Sequence, residues 1–437
     1  MSRNCQETAV ESRPLRIASI GCGARAQTYA QLAAAQPDRF AVVAAADPLA
    51  GRVEKLRGLS GRADFRGFDS AASLLAADKL ADVMLVATQD NDHFEHCSGA
   101  LRAGYHVLLE KPIATCAAEV LEIERLARRL DRRVMVCFVL RFAAFYRKAK
   151  EIIDSGALGQ IVSIQANEGV GPWHQAHSFV RGHWAVTASS SPMIISKCCH
   201  DMDIIHWLLG RRCLRVASFG SREFFRAEQA PAGAPVRCTD GCPIGDTCPY
   251  NAIRYSTDMR FPWLAMIYDR ARDAAPEEIV EWLKRSPWGR CVYRCRNDAV
   301  DRQVLALEFE EGVTGTFTMT AFENGRHLEV YGTRGVLKGG ETYHKHFGAH
   351  ILVFPQAGQP VRYTVRAEDG GYEMHGGGDP GLVRALYEEM TAAAGAMLAA
   401  PIESTVHSHL IGFAAEEARR SGQTVDLAEF RQRQAAC

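Results

Sequence analysis

Apolar and polar positions in the first third of the chain follow two alternating periods. Short apolar runs at 15–20, 40–46, 82–87, 105–109 and 133–138 read as buried strands, and stretches near 25–35, 69–77, 92–103, 116–130 and 142–154 carry apolar residues at helical spacing. Such alternation predicts a parallel, doubly wound α/β sheet with helices on both faces. After Gly156-Ala157-Leu158-Gly159 the pattern changes to longer alternating strands at 161–168, 214–224, 303–309, 313–321, 327–331 and 361–365. These predict a large open, mainly antiparallel sheet that packs helices such as 200–209 on one face. Helices at 382–398 and 404–420 close the chain, and 225–300 is an irregular insert rich in Pro, Cys and Arg. The expected organisation is a disordered segment 1–14, a first domain 15–150, and a second α/β domain 151–437 that contains the insert.

A chain of 437 residues suits two cores rather than one. Its 51 basic and 51 acidic side chains balance, which removes the electrostatic case for nucleic acid or an anionic membrane. The first fifteen residues hold no apolar core of a leader, and no run approaches the roughly eighteen apolar residues of a membrane span. Fourteen cysteines in such a chain fit a reducing, cytoplasmic setting, with thiols serving packing or metal.

The first strand runs into Gly21-Cys22-Gly23-Ala24-Arg25-Ala26, and the second ends at Asp47. Two glycines between strand and helix let backbone approach a pyrophosphate, which then sits on the N–H groups opening the helix. Ala26 takes the third small position, and Asp47 lies where a carboxylate accepts hydrogen bonds from an adenosine ribose. The expected cofactor is NAD, because Asp47 repels a 2′-phosphate; Arg52 nearby keeps NADP as the second candidate. Ligands of doubly wound sheets bind beyond the carboxyl ends of the strands. There Gly21, Gly23, Arg25, Ala26 and Asp47 are expected to contact the coenzyme, joined by Thr88, Gln89, His93, Glu110 and Lys111. Arg141 ends the last strand of this set.

Glu110-Lys111-Pro112 sets a lysine ahead of a proline that stiffens the turn. With the Gly21-x-Gly23-x-x-Ala26 turn and His200-x-x-Asp203 on the first helix of the second domain, the chain resembles the Gfo/Idh/MocA oxidoreductases. The resemblance runs from Leu15 to about Gln423. It implies a Rossmann domain, a second domain whose open sheet often forms a homo-oligomer interface, and hydride transfer at a sugar or cyclitol carbon. It also implies that Lys111 touches nicotinamide and substrate hydroxyl, and that His200 is the general acid/base. Many members carry aspartate four residues before that histidine; here Ser196 stands there, with Lys197 beside it, so either Lys197 or Asp201 is expected to take over part of the proton relay, or the chemistry differs from simple alcohol oxidation.

Trp173 to Trp184 gathers His174, His177, His183 and Arg181 between two indoles in what reads as a loop. Flat rings and directed donors suit a carbohydrate. His174, His177, Arg181 and Trp184, with Arg141, Lys197 and Asp379, form the expected substrate-binding set. Asp379 reads first as a cap of the helix that follows it, and substrate contact, implied by the resemblance, is its second reading. In the insert, Cys238-x3-Cys242-x5-Cys248 and Cys291-x3-Cys295 place close thiols among turn formers. Structural zinc on four of these five is expected, with an iron–sulfur cluster or plain buried thiols as alternatives. The expected activity is NAD(P)-dependent hydride transfer at a secondary hydroxyl of a sugar, glycoside or cyclitol. Its alternatives are redox-neutral glycoside cleavage through a transient ketone, and a non-catalytic NAD sensor.

Overall fold

The computed structural model describes residues 13–260, 263–340, 350–365, 373–393 and 398–436. The expected disorder of the first residues therefore falls almost wholly outside the described residues. Two sheets organise the chain. The first contains β1 (Leu15–Ile20), β2 (Phe40–Ala46), β3 (Arg66–Phe68), β4 (Val83–Val86), β5 (His106–Leu109) and β6 (Val134–Val136). They lie in the order β3-β2-β1-β4-β5-β6, and every adjacent pair is parallel. The order reverses between β1 and β4, which opens a crevice at the carboxyl ends of those strands. Near-continuous burial of β1, β2, β4, β5 and β6 explains why they read as unbroken apolar runs.

The second sheet has nine strands: β7 (Ile161–Val170), β8 (Cys213–Ser221), β9 (Arg302–Phe309), β10 (Thr314–Thr320), β11 (Asn324–Gly332), β12 (Gly335–Gly339), β13 (His350–Pro355), β14 (Val361–Thr364) and β15 (Val425–Asp426). Their order is β14-β13-β12-β11-β7-β10-β9-β8-β15, antiparallel except for the β10–β7 pair. On β9 and β10 residues alternate between buried and exposed, so helices cover one face only. The helices Cys199–Leu209 and Ile402–Ser421 supply that cover, burying Ile204, Ile205, Leu208, Leu410 and Ile411.

Five parts of the chain depart from the expected pattern. The helix Ala50–Ser60 buries only Val53 and Leu56, too thin a stripe to stand out among its charges. β3 is a three-residue edge strand with no fully buried residue. β12 and β13 are short and sit next to unpatterned sequence. The segment after Gly171 is a helical turn, Pro172–His174, continued by a π-helical turn, Gln175–Val180, rather than a loop. Among the described residues no helix is long and apolar enough to cross a membrane.

Candidate active site

The glycine turn after β1 is dictated by close approach. Gly21 has φ +87°, and a Cβ there would stand 2.5 Å from the Ala87 carbonyl oxygen, a backbone atom that cannot move aside. Gly23 begins the helix Ala24–Ala34 and is different: a Cβ at Gly23 would meet nothing within 4 Å. The protein itself does not need that glycine, so the space in front of the helix N-terminus fits a phosphate approaching the backbone. Asp47 is buried at the end of β2. Its carboxylate accepts from Cys22 N (2.9 Å) and Leu49 N (2.9 Å). A carboxylate offers about four lone-pair positions, so two remain for a ribose diol. Gly23→Ala is expected to cost at most about 1 kcal/mol as a helix-cap change. The same change should weaken coenzyme binding by about tenfold or more, roughly 1.4 kcal/mol. Fluorescence titration beside thermal unfolding would separate the two effects.

At the end of β5, Glu110 accepts from Arg25 Nε (2.8 Å) and Tyr29 OH (2.9 Å). Arg25 also reaches Asp379, whose other carboxylate oxygen pairs with His375 Nδ1 at 2.9 Å. Burial pushes the Glu110 pKa up, but Arg25 and Lys111 outweigh it and hold the carboxyl below its ordinary value. Lys111 extends from this clamp and its Nζ donates to the Ser196 carbonyl at 3.1 Å, across to the segment that leads into His200.

His200 sits in the first turn of Cys199–Leu209, edge-on to Phe138 at 5.7 Å between ring centroids and 6.5 Å from the His375 ring. It is 7% exposed, and its Nδ1 is buried without a hydrogen-bond partner. Burial first, and then the charges of Lys111, Arg326, His375 and Lys197, drive its pKa well below the usual imidazole value. The ring is therefore neutral, and it feels the Lys111 ammonium directly. His174 is depressed in the same way, by burial and then by Lys197, His177, Lys111 and Arg326, which places it on the same cationic rim.

Two residues of this rim were not foreseen. Glu168 near the end of β7 pairs with Lys197 (3.0 Å) and with Arg326 (2.5 Å), and Arg326 Nε donates to Asp201 at 2.8 Å. The β7–β11 register sets Arg326 directly opposite Glu168. Burial raises the Asp201 pKa, against the opposing pull of Arg326.

Several expected contacts go elsewhere. Arg141 is buried in a bidentate pair with Asp203 (2.6 and 2.7 Å), so its fork is filled by protein rather than aimed at substrate. Asp379 is 1% exposed and is spent on Arg25 and His375. Arg25 and Glu110 likewise face each other more than the crevice. His93 is 1% exposed, with its ring nitrogens against Pro112 O (2.7 Å) and Thr88 O (3.3 Å), which braces the lysine turn instead of a coenzyme. His177 turns into the insert, with Nδ1 on Tyr255 OH (2.6 Å), and burial with Arg181 nearby brings its pKa to about 4. Arg181 points into the insert too, donating to Arg290 O and Tyr250 O. Trp184 stays at the crevice: its indole N–H donates to Asp90 at 2.8 Å, just after Thr88 and the exposed Gln89 beyond β4. Lys197 also stays there, neutralised by Glu168. Zinc does not find its geometry: among the described residues no three His, Cys, Asp or Glu side chains stand together as a single metal ion requires.

Two family profiles cover most of the chain. Residues 15–138 match an oxidoreductase family with an NAD-binding Rossmann fold, and residues 150–427 match the C-terminal alpha/beta domain of the same family. The chain is 24% identical over 322 residues to the oxidoreductase YteT of Bacillus subtilis (strain 168), covering 70% of this chain and 72% of that one. It is 33% identical over 156 residues to D-glucoside 3-dehydrogenase of Escherichia coli (strain K12), covering 36% and 43%. A crystal structure of an Agrobacterium radiobacter oxidoreductase in complex with NAD+, L-tartaric acid and magnesium superposes with a TM-score of 0.68 at 15% identity, over 95% of this chain and 99% of that chain.

Proposed function

The chain belongs to the Gfo/Idh/MocA oxidoreductase family, with an NAD(P)-binding Rossmann domain, and on that premise we propose that it oxidises or reduces a secondary hydroxyl of a sugar, glycoside or cyclitol. One observation carries this reading: the Lys111 ammonium, held on the Ser196 carbonyl, acts electrostatically on the buried His200 ring, whose Nδ1 has no hydrogen-bond partner, where the first sheet's crevice faces the helix Cys199–Leu209. When bound, the nicotinamide ring gives or takes the hydride.

The residues divide the remaining work. Lys111, held by the Ser196 carbonyl, presents positive charge that lowers the pKa of a substrate hydroxyl and fixes its oxygen. His200 receives the hydroxyl proton on its imidazole during oxidation and returns it during reduction. Neutral His200 suits the first task because a protonated ring could not accept. The Glu168, Lys197, Arg326 and Asp201 cluster balances the charges around the ring and excludes bulk water from that side. His174, on the same rim, serves to position the substrate.

NAD is the preferred coenzyme in this reading, since the buried Asp47 carboxylate lies at the ribose end. Asp47→Asn keeps an oxygen acceptor for Cys22 N or Leu49 N and removes the charge. The ratio of kcat/KM for NAD to that for NADP should fall by about tenfold or more, a change of roughly 1.4 kcal/mol. An unchanged ratio would take Asp47 out of coenzyme choice. The overall activity is tested by following NADH formation over a panel of polyols, glycosides and cyclitols. Release of an aglycone without net NADH would instead establish the redox-neutral cleavage, and no turnover of any panel member alongside tight NAD binding would favour a sensor.

A further inference from the structure

The segment 180–189 and the insert between β8 and β9 meet around a pocket of about 410 Å³. Arg181, Arg237, Arg285, Arg290 and Arg296 line it together with His183, and no Asp or Glu does. The fold gathers these cations from separate stretches of chain. An isolated antiparallel bridge joins Arg237 to Arg290, framed by Cys238 N on Gly289 O and Cys291 N on Val236 O, both at 3.0 Å. In that pattern the two bridged residues share no backbone hydrogen bond, so their side chains stand close on one face. Like charges set directly opposite each other are destabilising unless something lies between them to offset the repulsion.

Two of the guanidiniums are held in place by groups that do not neutralise them. Arg181 is 5% exposed; its Nε donates to Arg290 O (2.7 Å) and its Nη2 to Tyr250 O (2.6 Å) and Cys238 Sγ (3.7 Å), while Nη1 is buried without a hydrogen bond. The Tyr255 phenol beside it is already paired with His177 Nδ1 at 2.6 Å. Arg237 donates from Nη2 to Leu283 O (2.8 Å) and to Ser286 O, and its Nε is likewise buried without a partner. Among the described residues none of the five arginines is paired with a carboxylate. Two acids close in sequence to the lining are engaged elsewhere: Asp298 accepts from Thr187 N (2.7 Å) and Oγ1 (2.9 Å), and Asp90 from the Trp184 indole. A guanidinium does not shed its proton, so the charge of Arg181, held away from water, is met by a counter-ion rather than by deprotonation.

We propose that this pocket binds the phosphate group of a small molecule, a phosphomonoester or a diphosphate. A single carboxylate offsets one cation, whereas a phosphate carries about −1.5 to −2 and offers three acceptor oxygens that several guanidinium forks can share. The site is distinct from the Lys111 and His200 region, none of whose residues lines it. Its rim nevertheless touches the first domain, because Ser189 O accepts from Asn91 Nδ2 at 2.8 Å. The same chemistry serves a separate phosphate-bearing effector or the charged end of a phosphorylated substrate.

The full chain, with NAD at saturation so that the glycine turn is filled, is titrated calorimetrically with pyrophosphate at constant ionic strength. Binding should saturate at a single pyrophosphate per chain. Arg285→Gln combined with Arg296→Gln, both at exposed positions, should weaken it by about tenfold or more, whereas the same loss of charge at exposed Arg102 and Arg129 should leave it unchanged. In the unsubstituted chain, pyrophosphate should also protect Arg285 and Arg296 from phenylglyoxal, which reads the site without any substitution. Heats no larger than those of chloride at the same ionic strength, or an affinity indifferent to the Arg285 and Arg296 changes, would overturn the proposal. Kinetics then identify the source of the phosphate, in an arm that rests on the proposed hydride transfer as the titration does not. A KM for phosphorylated sugars that rises about tenfold in the double variant, with neutral sugars unaffected, assigns the pocket to the substrate. An unchanged KM beside lost pyrophosphate binding assigns it to a separate effector.

Discussion

His200→Asn is expected to lower kcat by about 10²- to 10⁴-fold while coenzyme affinity changes little, the loss typical of a positioned general acid/base. The reason is local. Asparagine keeps a polar side chain in the first turn of Cys199–Leu209 but cannot take a proton, and His200 makes no hydrogen bond through Nδ1 that the fold would miss. The pH dependence gives a sharper test. Burial and the nearby charges of Lys111, Arg326, His375 and Lys197 place the His200 pKa below its usual 6.5. A base with a lowered pKa stays deprotonated to more acid pH, so the acid limb of kcat/KM for oxidation should lie below about pH 6.5. Lys111→Met removes the second cause of that depression and should move the limb toward neutrality, in addition to its own loss of activity. A full-activity His200→Asn enzyme would end the assignment.

The parallel sheet was legible because its strands are buried on both sides and therefore appear as short apolar blocks, and Gly21 was legible because only glycine tolerates that approach to Ala87. Lys111 and His200 stood out because each belongs to a local motif. Partners joined across the chain were not legible. Arg25 and Asp379 are 354 positions apart, Arg141 and Asp203 are 62 apart, and nothing in either neighbourhood names the other. An ionisable residue at a strand end looks the same in sequence whether it faces a ligand or a buried counter-ion. Glu168 and Arg326 were invisible for a related reason: each is an ordinary alternating position on its own strand, and only the β7–β11 register makes them a pair. The cysteines show the converse. Their spacing read as a metal site, yet among the described residues no three His, Cys, Asp or Glu side chains stand where a metal ion could be held.

Arg141→Met is expected to destabilise the protein by about 3–5 kcal/mol, because it leaves Asp203 as a buried charge without its partner. Both side chains are at most 2% exposed, and the pair is bidentate, with Ser404 Oγ and Ser408 Oγ completing the hydrogen bonds. Arg141 follows β6 of the first sheet, whereas Asp203 is one turn beyond His200. The ion pair therefore clamps the His200 helix to the ends of the strands that carry Lys111. Pairing the change with Asp203→Asn should recover most of the stability, since the orphaned charge is gone and a neutral amide is far less costly to bury. Denaturant midpoints at fixed coenzyme concentration would read both effects. If Arg141 instead bound substrate, Arg141→Met would raise KM and leave the midpoint where it was, and the double variant would recover nothing. Loss of stability with recovery in the double variant therefore assigns Arg141 to holding the general base in place, and puts recognition of the substrate on the His174 and Lys197 side of the crevice.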